Sequence, residues 1–127
     1  MTHNDLQFKA KTVQLILKKE TDEAIKILSN HYKIDTPRLK VGMPKKSSRN
    51  AGCYVPRTKT IHVADRKKLA DPFVILHEFY HHLRTHGREH LGTEKHADRF
   101  AEEFIEAYQT FHKYSFSASY NFQKLGE

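Results

Sequence analysis

Residues 71–87 read DPFVILHEFYHHLRTHG and contain the pattern HExxH. This stretch predicts a helix, because Asp71 suits an N-cap and is followed by a proline and an apolar run. Residues four apart on a helix differ by roughly 40° around its axis, so His77 and His81 share one face. Two imidazoles at this spacing, with Glu78 beside them, predict half of a zinc site.

A chance cluster of histidines is the alternative interpretation. The chain has ten histidines in 127 residues, and at such a content HExxH arises in roughly one shuffled chain in twenty. Its position on a capped, apolar helix favours a metal, because buried imidazoles without a ligand or a hydrogen-bond partner cost free energy. We therefore predict a metal site on this helix.

A catalytic zinc needs a third protein ligand and an open fourth position. Residues 92–101 predict a second helix capped by Thr93. Its apolar stripe recurs at spacings of three and four: Ala97, Phe100, Ala101, Phe104, Tyr108 and Phe111. Glu94 lies roughly 60° to one side of this stripe and His96 roughly 100° to the other, so both cannot reach one ion. We expect Glu94 to be the ligand and keep His96 as the alternative.

Asp98 follows Glu94 by one helical turn. It is placed to accept the second N–H of a ligating histidine and so to fix the tautomer of that ring. An ordinary acidic first turn, favoured by the helix dipole, is the other interpretation of these two acids.

Together these residues resemble the gluzincin zinc metallopeptidases, whose HExxH helix is followed by a helix with a glutamate ligand and, four residues later, an aspartate. The short spacing looks most like the soluble minimal gluzincins of prokaryotes, and residues 97–101 are also similar to the ImmA/IrrE-type peptidases. The resemblance implies a Zn²⁺ cofactor held by His77, His81 and Glu94. The extra histidines of this chain depart from the pattern and offer other possible ligands: His82, His86, His90 and His96.

The function expected from these residues is a zinc-dependent metalloendopeptidase that acts on proteins or peptides. Zinc would activate a water molecule, and Glu78 would take its proton and pass it to the leaving amine. A donor that stabilises the oxyanion is also expected. The candidates remain open: Tyr80, His86, His90 or a basic side chain.

Length and composition agree with one small domain. The 127 residues are 38% hydrophobic and include a single cysteine, which excludes an internal disulfide and fits a reducing compartment. No apolar stretch reaches the roughly eighteen residues of a membrane span, and the N-terminus does not look like a signal peptide. We expect a cytoplasmic protein without membrane contact.

The rest of the chain predicts an α+β fold, a minimal zincin-like domain. Apolar periodicity before residue 35 indicates one long or two short helices, which we expect to back the sheet. Short strands are expected at Arg38 to Met43, Gly52 to Val55 and Thr58 to Ala64, in a sheet of roughly three to four strands. Residues 1–112 would then form the catalytic domain.

A basic segment precedes the HExxH helix. Between Arg38 and Ala64 there are seven basic residues and no acid. A solvated basic loop at residues 45–49 is the simplest interpretation, and contact with nucleic acid is the less favoured one. Two other functions stay open, a non-catalytic zinc-stabilised binding protein and a basic regulatory protein that contacts nucleic acid.

The C-terminal segment, residues 113–127, alternates aromatic residues or alanine with small polar residues from Tyr114 to Phe122. Strict period two predicts a strand. Such a strand could pair with the edge of the cleft and fill substrate pockets, as minimal gluzincins are held inactive by such segments. The alternatives are a structural edge strand or a tail that becomes ordered only against a partner, and together they are favoured as much as autoinhibition.

Overall fold

The structure, a computed structural model, describes residues 2–45, 50–87 and 92–125, with side chains as far as residue 113. Within these residues, two helices are followed by three short strands and two further helices. The elements in chain order are α1 (His3–Leu17), α2 (Thr21–Tyr32), β1 (Arg38–Val41), β2 (Gly52–Val55), β3 (Thr60–Val63), α3 (Pro72–Arg84) and α4 (Glu94–Leu125).

The central strand of the sheet is β3, and the strand order is β1-β3-β2. β1 runs parallel to β3, and β2 runs antiparallel to it, with Tyr54 opposite Ile61. Ile61 and Val63 are fully buried, so the predicted alternation along this strand is confirmed for its inner face. The predicted first strand ends at Val41, two residues earlier than expected. The α+β class and a sheet of three strands are thus confirmed, whereas the zincin-like assignment stays a prediction.

Helix α3 covers the inner face of the sheet and contacts both β2 and β3. The expectation that the N-terminal helices back the sheet is wrong, because α1 packs mainly against α4 and α2. The apolar face of α3 already fills the space above the strands. One continuous core joins all the layers. Its largest fully buried aliphatic and aromatic members are Val13, Ile16, Ile25, Leu28, Ile61, Val63, Ile75, Leu76, Phe79 and Phe104.

Helix α3 begins as the sequence predicts. The Asp71 carboxylate accepts hydrogen bonds from the backbone N–H groups of Phe73, at 3.0 Å, and Val74, at 3.3 Å, which satisfies two donors of the first turn. The helix ends at Arg84, where the backbone N–H of Thr85 bonds to a carbonyl of the last turn. Both ends of the helix are therefore fixed by local hydrogen bonds.

The predicted C-terminal strand is wrong for residues 113–125, because α4 continues without interruption to Leu125. Neither glycine nor proline occurs from Glu94 to Leu125, so nothing in this stretch breaks the hydrogen-bond ladder of the helix. Residues 126 and 127 lie outside the described part of the chain. A helix satisfies its own backbone groups, so the strand pairing on which the autoinhibition hypothesis rested does not occur here.

Among the described residues, no helix combines the length and apolar character needed to cross a membrane.

Candidate metal centre

Helix α3 presents His77 and His81 on one face, as the HExxH spacing predicts. Their Nε2 atoms lie 3.3 Å apart, and their side chains are 13% and 14% exposed. Both rings therefore sit in the wall of a cleft with one nitrogen each directed at the same point.

Glu94, the first residue of α4, reaches that point from the other side. Its Oε2 lies 2.7 Å from His77 Nε2, and its Oε1 lies 2.8 Å from His81 Nε2. The carboxylate thus bridges the two imidazoles, although its side chain is 74% exposed. The structure brings together the three residues that the sequence predicts as ligands.

Asp98 lies behind His77, one turn further along α4. Its Oδ1 is 2.8 Å from His77 Nδ1. A carboxylate can only accept, so Nδ1 must carry the proton and donate it. In the neutral ring the lone pair is then on Nε2, which faces Glu94. This Nδ1–H tautomer is the one that can bind a metal through Nε2.

The atoms that face one another fit a zinc ion. Lone pairs on Nε2 of His77, on Nε2 of His81 and on the Glu94 carboxylate lie within 2.7 to 3.3 Å of each other. Such a set repels itself unless protons or a cation lie between its members. Ligands around a tetrahedral zinc with bonds near 2.0 Å are roughly 3.3 Å apart, so a small rearrangement of side chains would accommodate the ion.

Burial also favours the metal-binding form of His81. The pKa of this imidazole is lowered chiefly by burial, with the Glu94 charge acting in the opposite direction. The neutral ring is the form that binds a metal.

Glu78 also lies close to the histidines, since one ligand atom from each of His77, Glu78 and His81 falls within 4.8 Å of the others. Glu94 contacts both imidazoles directly, whereas Glu78 is turned toward strand β2, where the backbone N–H of Tyr54 donates to its carboxylate. Glu94 is therefore the carboxylate in direct contact with both imidazoles, and Glu78 lies beside them.

Burial raises the pKa of Glu78 to about 7, with Glu94 adding to the rise and both His77 and the Tyr54 N–H opposing it. The residue is only 8% exposed. A carboxyl group with a pKa near neutrality can both take and return a proton, which is what a general base and acid requires.

Strand β2 lies unusually close to α3, and Gly52 makes this approach possible. A Cβ atom at residue 52 would lie 2.7 Å from Val74 Cγ1 and 3.1 Å from Glu78 Cγ. The shorter distance leaves no room for a side chain unless Val74 moves. β2 is also an edge strand, since β3 is its only partner among the described strands. The site is therefore next to a strand edge that no other described strand covers.

An open cleft follows this edge on both sides of the histidine pair. The half next to His81 has a volume of about 360 Å³ and is lined by Asn50, Gly52, Cys53, Tyr54, Pro56, Glu78, His81, Arg84, Thr85 and Glu94. The half next to His77 has about 300 Å³ and is lined by Asn50, Ala51, Gly52, Phe73, Val74, His77, Glu78 and Glu94. Both halves share the strand and the two carboxylates.

His82, which the sequence offers as another possible ligand, has a structural role instead. It is fully buried. Its Nε2 donates to the backbone carbonyl of Asp35 at 2.7 Å, so its Nδ1 accepts from the Tyr54 hydroxyl, also at 2.7 Å. Burial lowers the pKa of His82, which favours this neutral form. The ring ties α3 to β2 and to the loop before β1.

The other candidate histidines that the structure describes are engaged elsewhere. His96 Nδ1 is hydrogen-bonded to the Thr93 hydroxyl at the start of α4, whereas Glu94 is the residue of this helix that contacts both His77 and His81. His86 Nδ1 donates to a carbonyl of α3 at 2.9 Å, and His90 lies outside the described residues. Tyr80, an oxyanion candidate, is 6% exposed with its ring in the core.

Sequence reasoning missed two cleft residues, Tyr54 and Arg84. Tyr54 sits in a recognisable strand but its hydroxyl is positioned by a histidine 28 residues away. Arg84 follows His81 by three residues, which places it one helical turn further along α3, and only the general expectation of a basic side chain pointed to it.

Comparisons with known proteins give no relative. The chain matches no protein-family model, and neither curated proteins nor solved structures show a significant similarity to it. The gluzincin resemblance therefore rests on the five motif residues and their arrangement alone.

Proposed function

We propose that the protein is a zinc-dependent metalloendopeptidase. The observation that carries the proposal is the meeting of His77, His81 and Glu94 from two helices at one point, 2.7 to 3.3 Å apart, in an open cleft. Asp98 supports one ligand from behind, as metal-bound histidines usually require. The motif residues of minimal gluzincins resemble this set.

His77, His81 and Glu94 would hold the ion. When bound, zinc supplies a Lewis acid that makes water nucleophilic at neutral pH and polarises the scissile carbonyl. Glu78 takes the proton from the attacking water and passes it to the leaving amine. Asp98 keeps the Nδ1 proton of His77 in place, so that the ring presents its Nε2 lone pair to the site.

The substrate would be an extended peptide lying along β2. A free strand edge binds such a segment through backbone hydrogen bonds, and Gly52 holds this edge close to Glu78. The cleft continues on both sides of the histidine pair. A chain can therefore extend in both directions from the scissile bond, which favours endopeptidase over exopeptidase action.

Zinc content and cleavage test the proposal separately. Protein purified without added metal should carry about one zinc per chain, and Glu94→Ala should lose most of it. His96→Ala is the matched control and should keep its zinc. Glu78→Gln should also keep zinc while losing cleavage of a denatured protein substrate such as casein.

Each alternative function has its own outcome. Normal zinc content, without cleavage of any substrate, would indicate a non-catalytic zinc protein. Binding of nucleic acid that falls steeply with salt and survives removal of zinc would indicate the basic regulatory protein. A folded wild type that carries no zinc and takes up none would refute the metallopeptidase proposal.

A further inference from the structure

The two halves of the cleft differ in charge. In the half next to His77, the lining residues outside the site itself are uncharged and, apart from Asn50, apolar or glycine, and Phe73 is 37% exposed there. In the half next to His81, the lining includes the cationic side chain of Arg84. Any extended peptide along β2 would meet an apolar surface on one side of the histidine pair and a positive charge on the other.

The guanidinium of Arg84 lies against Gly92. A Cβ atom at residue 92 would overlap Arg84 Nη1 and would lie 2.9 Å from its Cζ. The guanidinium therefore rests directly on Gly92, and any larger residue there would displace it. This contact places the charge between the end of α3 and the residue before the cap of α4.

Arg84 has no ion-pair partner in the part of the chain that the structure describes. Among the described residues, no carboxylate lies within salt-bridge distance of its guanidinium. Of the two acids in the cleft lining, Glu94 is engaged with His77 and His81 at 2.7 and 2.8 Å, and Glu78 is buried. An exposed guanidinium with five donors, and without an acidic partner among the described residues, is suited to bind a carboxylate from outside.

We propose that Arg84 selects peptides with an aspartate or glutamate side chain in the half of the cleft next to His81, an inference that rests on the proposed peptidase function. Arg84 follows His81 by three residues, which is about 4.5 Å along the helix axis. An extended peptide advances about 3.3 Å per residue. The acidic residue therefore lies within about two positions of the scissile bond.

A binding experiment tests this without requiring cleavage. The protein is used as zinc-loaded Glu78→Gln, and the probes are fluorescent peptides of about ten residues that are blocked at both ends, so that no terminal carboxylate competes. One position at a time carries either Glu or Gln in an otherwise identical sequence. Fluorescence anisotropy then measures the affinity ratio of each pair.

We expect the Glu peptide to bind about three- to tenfold more tightly at one or two adjacent positions, because a charge-assisted contact at an exposed site is worth about 1 kcal/mol. Arg84→Gln should reduce this ratio to about one. Gly92→Ala, which displaces the guanidinium without removing it, should give an intermediate ratio. Lys26→Gln, an equal charge change on the exposed side of α2, should leave the ratio unchanged.

The alternative is a purely structural role, in which the charge of Arg84 only complements the dipole at the C-terminal end of α3. In that case Arg84→Gln would lower thermal stability and leave the affinity ratio as it was. An equal preference for Glu and Gln peptides, a ratio that survives Arg84→Gln, or no binding of either peptide would overturn the inference.

Failure of the inference is distinguishable from failure of the peptidase proposal. Wild-type cleavage without any preference for acidic peptides refutes the role of Arg84 alone. Arg84-dependent binding of acidic peptides that are never cleaved refutes the peptidase proposal alone.

Discussion

Removal of the Asp98 carboxylate should weaken zinc binding without unfolding the protein. In Asp98→Ala, His77 Nδ1 loses the acceptor that now lies 2.8 Å away, so the ring is free to rotate or to change tautomer. Loss of such a partner typically costs 10- to 100-fold in metal affinity. The Asp98 side chain is 46% exposed, so water can take its place. We therefore expect Asp98→Ala to bind zinc about tenfold more weakly than the wild type, a loss of about 1.4 kcal/mol in binding free energy.

Asp98→Asn provides a graded comparison. The amide oxygen can still accept from Nδ1–H but carries no charge, so the expected loss is smaller, about threefold. Asp22→Ala is the matched control, because it removes an exposed acid from the first turn of α2 and gives the same change in net charge. Its zinc affinity should not change.

Zinc affinity is measured by competition with a chromogenic chelator at constant pH and ionic strength, with circular dichroism to verify folding. The reasoning is refuted if Asp98→Ala binds zinc within twofold of the wild type, or if Asp22→Ala loses as much. The first result would mean that the 2.8 Å contact between Asp98 and His77 does not orient the imidazole. The second would mean that zinc affinity depends only on the net charge of the protein.

Three further predictions concern the elements around the site. His82→Phe should lower the free energy of unfolding by about 2–4 kcal/mol in urea denaturation, since the Asp35 carbonyl and the Tyr54 hydroxyl lose a buried partner. His86→Phe, at an exposed position, should change it by no more than about 0.5 kcal/mol. Gly52→Ala should lower the free energy of unfolding by about 1–3 kcal/mol through overpacking and should reduce cleavage more than zinc content. Gly87→Ala is the control and should change neither stability nor cleavage, because a Cβ at residue 87 would meet no atom within 4 Å. Equal losses in the two variants would contradict the close approach of β2 to α3. Truncation after His112 should leave folding and zinc content intact, because the buried residues described in α4 all precede it. A rise in peptidase activity would support latency through the tail, and an unfolded product would contradict the prediction.

The site could be predicted from sequence to the extent that it depends on helical periodicity. His77 and His81 are four residues apart on α3, and Glu94 and Asp98 are four apart on α4, so each pair shares a helix face whatever the rest of the chain does. The same arithmetic showed that Glu94 and His96 cannot bind one ion together, and it left His96 as the alternative ligand. The apolar stripe of α4 then fixed which side of that helix faces α3.

What the sequence could not predict depends on contacts between distant residues. The partners of His82 are 28 and 47 residues away, and nothing local distinguishes this ring from a ligand. The C-terminal strand failed for a different reason. Alternation of aromatic and small residues is compatible with a strand, but here these residues follow an uninterrupted helix. Extending a helix that is already formed adds one hydrogen bond per residue and needs no new nucleus.

The packing of α3 explains how one short helix can build a rigid site. One face is fixed in the core through Ile75 and Phe79, both fully buried. A second face is tied to the sheet through His82, which leaves the third face, with His77 and His81, little freedom to rotate. Because α4 is packed on the same core, its carboxylates meet these rings in a geometry set by buried contacts. A site supported in this way is organised before its ion arrives, so substitutions in the core are expected to loosen zinc as well as to destabilise the fold.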